Sequence, residues 1–318
     1  MILKEEIKRV DVYFYTGTVT HQLHYREDKL TKNKVVINYA RALRPHSIDA
    51  KHQYNTAKLI KKSEKSCVFC EYEKKNVPLA SKEKRYKKGE NVIFQNLYPF
   101  EEHHYVSILT KKHFVRSFSP SHFNDLFENY LSLMRDQKTS LYSYINMNYL
   151  PPSGASIIHP HAQIFASKNP SPFHKTLISG FRKYSKDAWI KEHKNRDLFI
   201  KNGKHFLVFS SFAPRLNKEI VILSKSDDRL SNLNSTALNE LSHFVANIVN
   251  YFISSNIFQS FNFSLYEHES HGIVMFLGTR STFHPAYSAD RGFMEVYHDR
   301  VVISSYPEKI AKEVRNKI

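Results

Sequence analysis

The chain carries a duplicated pattern, and that duplication limits its architecture more than any other feature. Val92-Ile-Phe-Gln-Asn-Leu-Tyr-Pro-Phe100, a gap and Val106-Ser-Ile-Leu-Thr-Lys111 are echoed by Leu207-Val-Phe-Ser-Ser-Phe-Ala-Pro-Arg215, a gap and Ile220-Val-Ile-Leu-Ser-Lys225. Phe94 matches Phe209 and Pro99 matches Pro214. Each copy reads as strand, proline-marked turn, strand, then a serine-rich stretch (117–121 and 231–235) able to cap a helix. Helices are expected over 121–144 and 236–253, the first with Phe123, Leu126, Tyr130 and Leu133 at helical spacing. A second strand pair follows each helix, 142–148 with 157–166 and 261–266 with 272–277. The repeating unit is therefore β-β-α-β-β, an α+β arrangement with antiparallel sheets. Residues 1–185 form the N-terminal repeat and 186–318 the C-terminal one, joined where Asn169-Pro-Ser-Pro172 ends one element and the polar 183–196 begins the next. Ahead of the first unit, 35–39 reads as a strand and 63–78 as an irregular loop.

Neither a G-x-G-x-x-G nor a G-x-x-x-x-G-K-[ST] occurs among the eight glycines, which disfavours a Rossmann site or a Walker loop. A net charge of +17 points to phosphorylated small molecules, nucleic acid or an anionic surface. The lysines are scattered, as a biased solvated face would have them, and nucleic acid is not the expected partner. Two cysteines cannot build a secreted disulfide framework. Met1 to Glu6 carry charges where a signal peptide needs an apolar run, so a cytoplasmic location is expected. The uncharged 244–265 stretch is interrupted by Asn and Ser and reads as a buried helix, a turn and a strand. No membrane partner is expected.

The densest chemical signal is Ser153-Gly-Ala-Ser156-Ile-Ile-His159-Pro-His161-Ala-Gln163. On a strand, His159, His161 and Gln163 share one face. A neutral imidazole attacks phosphorus well when its other nitrogen donates to a fixed carbonyl, and His161 is the candidate nucleophile. The second signal is Cys67-Val-Phe-Cys70, a pair that two further ligands turn into a tetrahedral zinc site. His113 and His159 are the candidates; an unliganded buried thiol pair is the alternative.

H-P-H-x-Q preceded by G-A-S resembles the galactose-1-phosphate uridylyltransferase branch of the histidine-triad superfamily, and the likeness extends over most of the chain. It implies two tandem histidine-triad-like repeats, a nucleotidyl intermediate on His161, and transfer of a nucleoside monophosphate from a nucleotide sugar to a sugar 1-phosphate. Gln163 stands where the transferases and phosphorylases of that superfamily have an amide, which holds the phosphoryl oxygen without donating a proton that would expel the histidine. The resemblance implies structural zinc on Cys67, Cys70, His113 and His159. It places Arg41 and Arg44 (in R-A-L-R-P), Asn96, Asn148, Ser156 and Gln163 at the nucleotide, with Ser156 among the catalytic groups. Arg291 and Tyr297 fall in a loop similar to the one that holds the acceptor, and a homodimer is implied. Singly, each of these residues also has an ordinary structural reading.

The second repeat has no H-x-H, since His271-Gly-Ile-Val stands there, so one nucleophile per chain is expected. The paired histidines of the iron site found in some bacterial uridylyltransferases are missing, and zinc alone is expected. Two alternatives remain: an ADP-sugar or dinucleoside-polyphosphate phosphorylase using inorganic phosphate, and a nucleic-acid-binding histidine-triad protein whose affinity would fall steeply with salt.

Overall fold

The structure, a computed structural model, describes residues 1–43, 56–73, 77–81, 84–137, 142–254, 259–283 and 291–318. A long hairpin, β1 (Leu3–Phe14) and β2 (Gly17–Asp28), continues into β3 (Asn33–Ile37) and, after helix α1 (Thr56–Glu64), into the first repeat. That repeat is β4 (Tyr86–Lys88), β5 (Asn91–Gln95), β6 (His103–Ile108), α2 (Pro120–Asp136), β7 (Tyr142–Tyr149) and β8 (His161–Ser167). Helices α3 (Pro172–Lys183) and α4 (Lys186–Lys194) lead into β9 (Phe199–Asn202), β10 (Phe206–Ser210), β11 (Asn217–Ser224), α5 (Ser235–Ile253), β12 (Gln259–His268) and β13 (Gly272–Thr282). The short α6 (Phe293–Tyr297), β14 (Val301–Ile303) and α7 (Pro307–Arg315) close the chain.

The strands of both repeats form one ten-stranded sheet in the order β4-β5-β6-β8-β7-β12-β13-β11-β10-β9. Its two halves have the same strand order about the central antiparallel β7–β12 pair, where Tyr149 faces Phe261 and Tyr144 faces Tyr266. Alternation along these strands sorts residues between two faces. Ile145, Met147, Ala162, Ile164, Phe263, Leu265, Met275 and Leu277 join a core under α2 and α5, to which Phe123, Leu126, Phe127, Phe252 and Val249 contribute. Burying each such large side chain contributes roughly 2–3 kcal/mol. Pro120 opens α2, and the Asn234 side chain accepts the Ala237 N–H at 2.9 Å to cap α5.

Three sequence expectations need correction. Each unit has an additional edge strand, β4 or β9. Helix α2 stops at Asp136, because from Tyr142 the pattern turns to period-two alternation that a sheet can bury on one face. Strand β8 starts at His161 and not at 157, because Pro160 has no N–H for a ladder; its carbonyl accepts the Leu109 N–H instead.

The opposite face is covered in the second half by α3, α4 and a small sheet, β1-β2-β3-β14, antiparallel except for β3–β14. Trp189, Phe209, Leu177 and Leu3 form that core, and Trp189 Nε1–H donates to Asp28 Oδ2 at 2.9 Å. Fully buried His174 and His193 are held by burial down at about 4, and His271 at about 3. Below pH about 6.5 the unfolded chain takes up protons that these native rings refuse, so stability present at neutral pH drains away toward pH 4. His193 alone, whose Nδ1–H donates to the Trp189 carbonyl at 2.8 Å, accounts for about 3 kcal/mol of that loss. The urea midpoint should drop between pH 7 and 4.5, and drop less in His193→Phe; identical pH profiles for the two proteins would refute this.

Candidate active site

Asn148 on β7 lies opposite Asn262 on β12, which lies opposite Gly278 on β13. One step along, Gln163 faces Asn146, Asn146 faces Ser264 and Ser264 faces Phe276. These rows point away from α2 and α5 and form the floor of a cavity of about 360 Å³, walled by Phe100, Phe165, Phe173, Arg215, Glu219 and Arg280 among others. Hydrogen bonds tie the rows across the repeat boundary. Arg280 Nη1 donates to Asn262 Oδ1 at 2.8 Å, and Asn262 Nδ2 donates to Asn148 Oδ1 at 2.6 Å. Ser264 Oγ donates to Asn146 Oδ1 at 2.8 Å.

His161 begins β8 beside this floor and is nearly enclosed. Its Nδ1–H donates to the His159 carbonyl at 2.8 Å, and burial holds its pKa below the usual imidazole value. The ring is therefore neutral at pH 7 with its lone pair on Nε2, the protonation pattern of a nitrogen nucleophile. Two residues on, Gln163 Oε1 accepts from His104 Nε2–H at 2.9 Å, and His104 Nδ1 accepts the Phe100 N–H at 3.4 Å. That tautomer fixes the Gln163 amide so that its N–H groups are free to donate elsewhere.

Behind His161, Cys67, Cys70, His113 and His159 bring their ligand atoms within 4.8 Å of one another. Cys70 Sγ lies 3.4 Å from His113 Nδ1 and 3.3 Å from His159 Nδ1, and Cys67 Sγ lies 3.7 Å from His159 Nδ1. Edges of about 3.5 Å are what a tetrahedral ion with ordinary sulfur and nitrogen bond lengths requires. Both rings are oriented for it. His159 Nε2–H donates to the Thr110 carbonyl at 2.7 Å, and His113 Nε2–H to Ser63 Oγ at 2.8 Å, which leaves each Nδ1 lone pair facing the thiols. The donor set fits a divalent metal ion. Phe69, between the cysteines, meets the His161 ring edge to face with the ring centroids 5.1 Å apart, so the ligand loop also packs against that histidine.

No family model matches the chain. An uncharacterised protein of Archaeoglobus fulgidus is 27% identical over 253 residues, 72% of this chain and 73% of its own length. An ADP-glucose phosphorylase from Arabidopsis thaliana with bound ADP-glucose superposes with a TM-score of 0.73 at 17% identity, covering 92% of this chain and 97% of that one. A galt-like protein from Arabidopsis thaliana gives 0.70 at 16% identity, over 92% and 99% of the two chains. A solved uridylyltransferase gives 0.63 at 14%, over 92% and 98%. The chain has the uridylyltransferase fold.

Within the uridylyltransferase fold the two repeats differ at the decisive position. Ile108 pairs with Val92 as Leu223 pairs with Leu207, so the sheet makes Ile108 and Leu223 equivalent, one residue beyond the match read from the sequence; Ile108 also pairs with His161, and Leu223 with Val274. Val274 and Phe276 thus replace His161 and Gln163 in the second copy. Of the residues nominated from sequence, Gln163, Asn148 and Arg291 line the cavity. His159 precedes β8 and turns toward the cysteines, so it does not share a strand face with His161 and Gln163 as expected. Ser156 is exposed in a bend, and Arg41 is exposed on a 3-10 turn (Tyr39–Leu43). Asn96 accepts the Tyr98 N–H and touches His104, outside the cavity lining. Tyr297 is 83% exposed and away from it. Arg44 lies outside the described residues. Sequence reading passed over His104, Asn146, Asn262, Arg280 and Glu219; alternating Asn146/Asn148 and Asn262/Ser264 in otherwise apolar strands was the available signal.

Proposed function

We propose that this protein is a nucleotidyltransferase that moves a nucleoside monophosphate from a nucleotide sugar to a sugar 1-phosphate through nucleotidyl-His161. The observation that carries the reading is the neutral His161 ring, its Nδ1–H engaged by the His159 carbonyl and its Nε2 free beside Gln163. Nε2 attacks the α-phosphorus, the N–P bond forms and the bond to the leaving sugar 1-phosphate breaks. An acceptor phosphate oxygen then attacks the same phosphorus and releases neutral His161. Gln163 donates its amide N–H to the phosphoryl oxygens without supplying a proton to the leaving imidazole. Asn148 and Arg291 at the cavity, together with Ser156, Arg41, Asn96 and Tyr297 beyond its lining and Arg44 outside the described residues, are the proposed substrate contacts, with residues 1–185 carrying the nucleophile and 186–318 the acceptor side.

Zinc is the proposed ion for Cys67, Cys70, His113 and His159; bound there it holds the loop that carries Phe69 and the backbone on which His161 depends. A second reading, a phosphorylase in which inorganic phosphate replaces the acceptor, draws on the fold likeness to an ADP-glucose phosphorylase. Mass spectrometry of products formed with phosphate alone separates the two. Among the described residues no helix is long and apolar enough to cross a membrane, and a cytoplasmic enzyme is proposed.

A homodimer is part of this reading. β3 pairs with β2 only over His24–Asp28, so the outer β1–β2 ribbon stands alone and shows Tyr13, Phe14 and Tyr15 at 77%, 58% and 113% exposure. An isolated two-stranded ribbon is marginal in water, and an exposed apolar tip marks an interface. Sedimentation should give a dimer for the native chain and a monomer after Tyr13→Ser, Phe14→Ser and Tyr15→Ser together. A native monomer removes the dimer from the proposal.

A further inference from the structure

The two repeats use one equivalent position in different ways. The offset that aligns Phe94 with Phe209 and Pro99 with Pro214 also aligns Phe100 with Arg215 and His104 with Glu219. In the first repeat His104 Nδ1 accepts the Phe100 N–H while its Nε2 holds Gln163. In the second, Glu219 Oε2 accepts the Arg215 N–H at 3.1 Å. Both side chains therefore anchor the turn between the paired strands of their repeat and retain a second polar atom. For His104 that atom has Gln163 to hold. For Glu219 it does not, because Phe276 stands where Gln163 would. Glu219 Oε1 makes no hydrogen bond of good geometry although the residue is only 3% exposed; the Ser211 hydroxyl and the Leu216 N–H lie near the carboxylate but leave that oxygen without a well-aligned donor.

An unpaired buried carboxyl oxygen is costly for a fold to keep. Here it lines the cavity that also contains Gln163 and Asn148, and its neighbours there include Arg215, Arg280, Tyr266 and Phe276. The Arg280–Asn262–Asn148 chain of hydrogen bonds links this half of the cavity to the row beside His161. Guanidinium groups suit a phosphate, and aromatic faces suit the C–H face of a sugar ring. A solitary carboxyl oxygen suits neither a phosphate, which it repels, nor an apolar group. It suits a hydroxyl. Burial raises the Glu219 pKa to about 7, so the group can accept from or donate to that hydroxyl near neutral pH.

We propose that Glu219 is a specificity-determining residue whose Oε1 hydrogen-bonds a ring hydroxyl of the sugar 1-phosphate on the second-repeat side of the cavity. This rests on the nucleotidyl-transfer reading and identifies the group recognised on the sugar side of the bond that is made and broken.

The test is calorimetric titration of the purified full chain with glucose 1-phosphate, galactose 1-phosphate, UMP and AMP, comparing the native protein with Glu219→Gln. The glutamine keeps an oxygen for the Arg215 N–H, so the turn stays anchored, and a thermal melt checks that it does. The Kd of whichever sugar 1-phosphate binds should rise about tenfold or more in Glu219→Gln, with the nucleoside monophosphate Kd and the melting temperature unchanged. Three results overturn the proposal: no sugar 1-phosphate bound by the native protein, equal sugar 1-phosphate affinity in the variant, or an equal loss of nucleoside monophosphate affinity. Binding needs no turnover. Failure of the transfer reading is seen separately, as the absence of any His161-dependent adduct when the native protein meets a nucleotide sugar.

Discussion

Incubated with UDP-glucose, ADP-glucose or a dinucleoside polyphosphate, the native protein should gain the mass of one nucleoside monophosphate, and His161→Ala should gain none. Turnover in the variant should fall by about four orders of magnitude or more, the scale seen when a covalent nucleophile is removed and only binding is left. The size of the effect follows from the absence of a substitute. Val274 occupies the equivalent position in the second repeat, and His104, which holds Gln163, has both nitrogens engaged with Phe100 and Gln163. Gln163→Ala should behave differently, still forming the adduct but about a hundredfold more slowly, as when a single oxyanion donor is lost. An adduct that persists in His161→Ala would move the nucleophile elsewhere.

The second large effect belongs to the metal. Elemental analysis of protein purified without chelator should give one zinc per chain, and Cys67→Ser or Cys70→Ser should abolish it. Four ligands from three separate segments, residues 67–70, 113 and 159, would be held together by one ion, and the apolar support beside them comes from Phe69, Val77, Val92, Phe94, Val106 and Ile108. A melting-temperature fall of roughly 10 °C on chelation is expected, what about 5 kcal/mol produces in a chain of this size. Burial and the neighbouring Cys67 thiol push the Cys70 thiol up to about 12, so without the ion Cys70 stays protonated and zinc would have to displace its proton to bind. Full stability and native mass after exhaustive chelation would show that the thiols pack without a metal.

What was legible in the sequence was what local spacing encodes. The H-P-H-x-Q run sets His161 and Gln163 two apart on one strand, and a C-x-x-C offers two ligands whatever the rest of the chain does. The duplicated strand-turn-strand motif likewise announces the paired halves of the sheet. What stayed hidden depends on which strands become neighbours. Asn262 meets Asn148 only because β12 pairs with β7, and Arg280 meets Asn262 through its own side chain across β13. Nothing near Glu219 in the sequence shows that Phe276 would leave its Oε1 without the partner that Gln163 gives His104. Misreadings had local causes as well. Pro160 stops the ladder short of His159, which frees that ring to turn toward the thiols, and the aromatic and apolar residues around 137–144 imitate a helical continuation of α2.

The central β7–β12 seam also bears on how the molecule comes into being. Six residue pairs, Phe261–Tyr149 through Tyr266–Tyr144, join strands more than a hundred positions apart in the sequence. While the chain is being synthesised, the first repeat is complete before β12 has been made, and β7 then presents an open edge of unsatisfied N–H and C=O groups, the kind of edge that recruits a second nascent chain. The Asn148–Asn262 and Asn146–Ser264 contacts cannot form until the seam closes. Closure of the seam and assembly of the polar floor are thus one event, and fragments cut between the repeats would regain that floor only by finding each other.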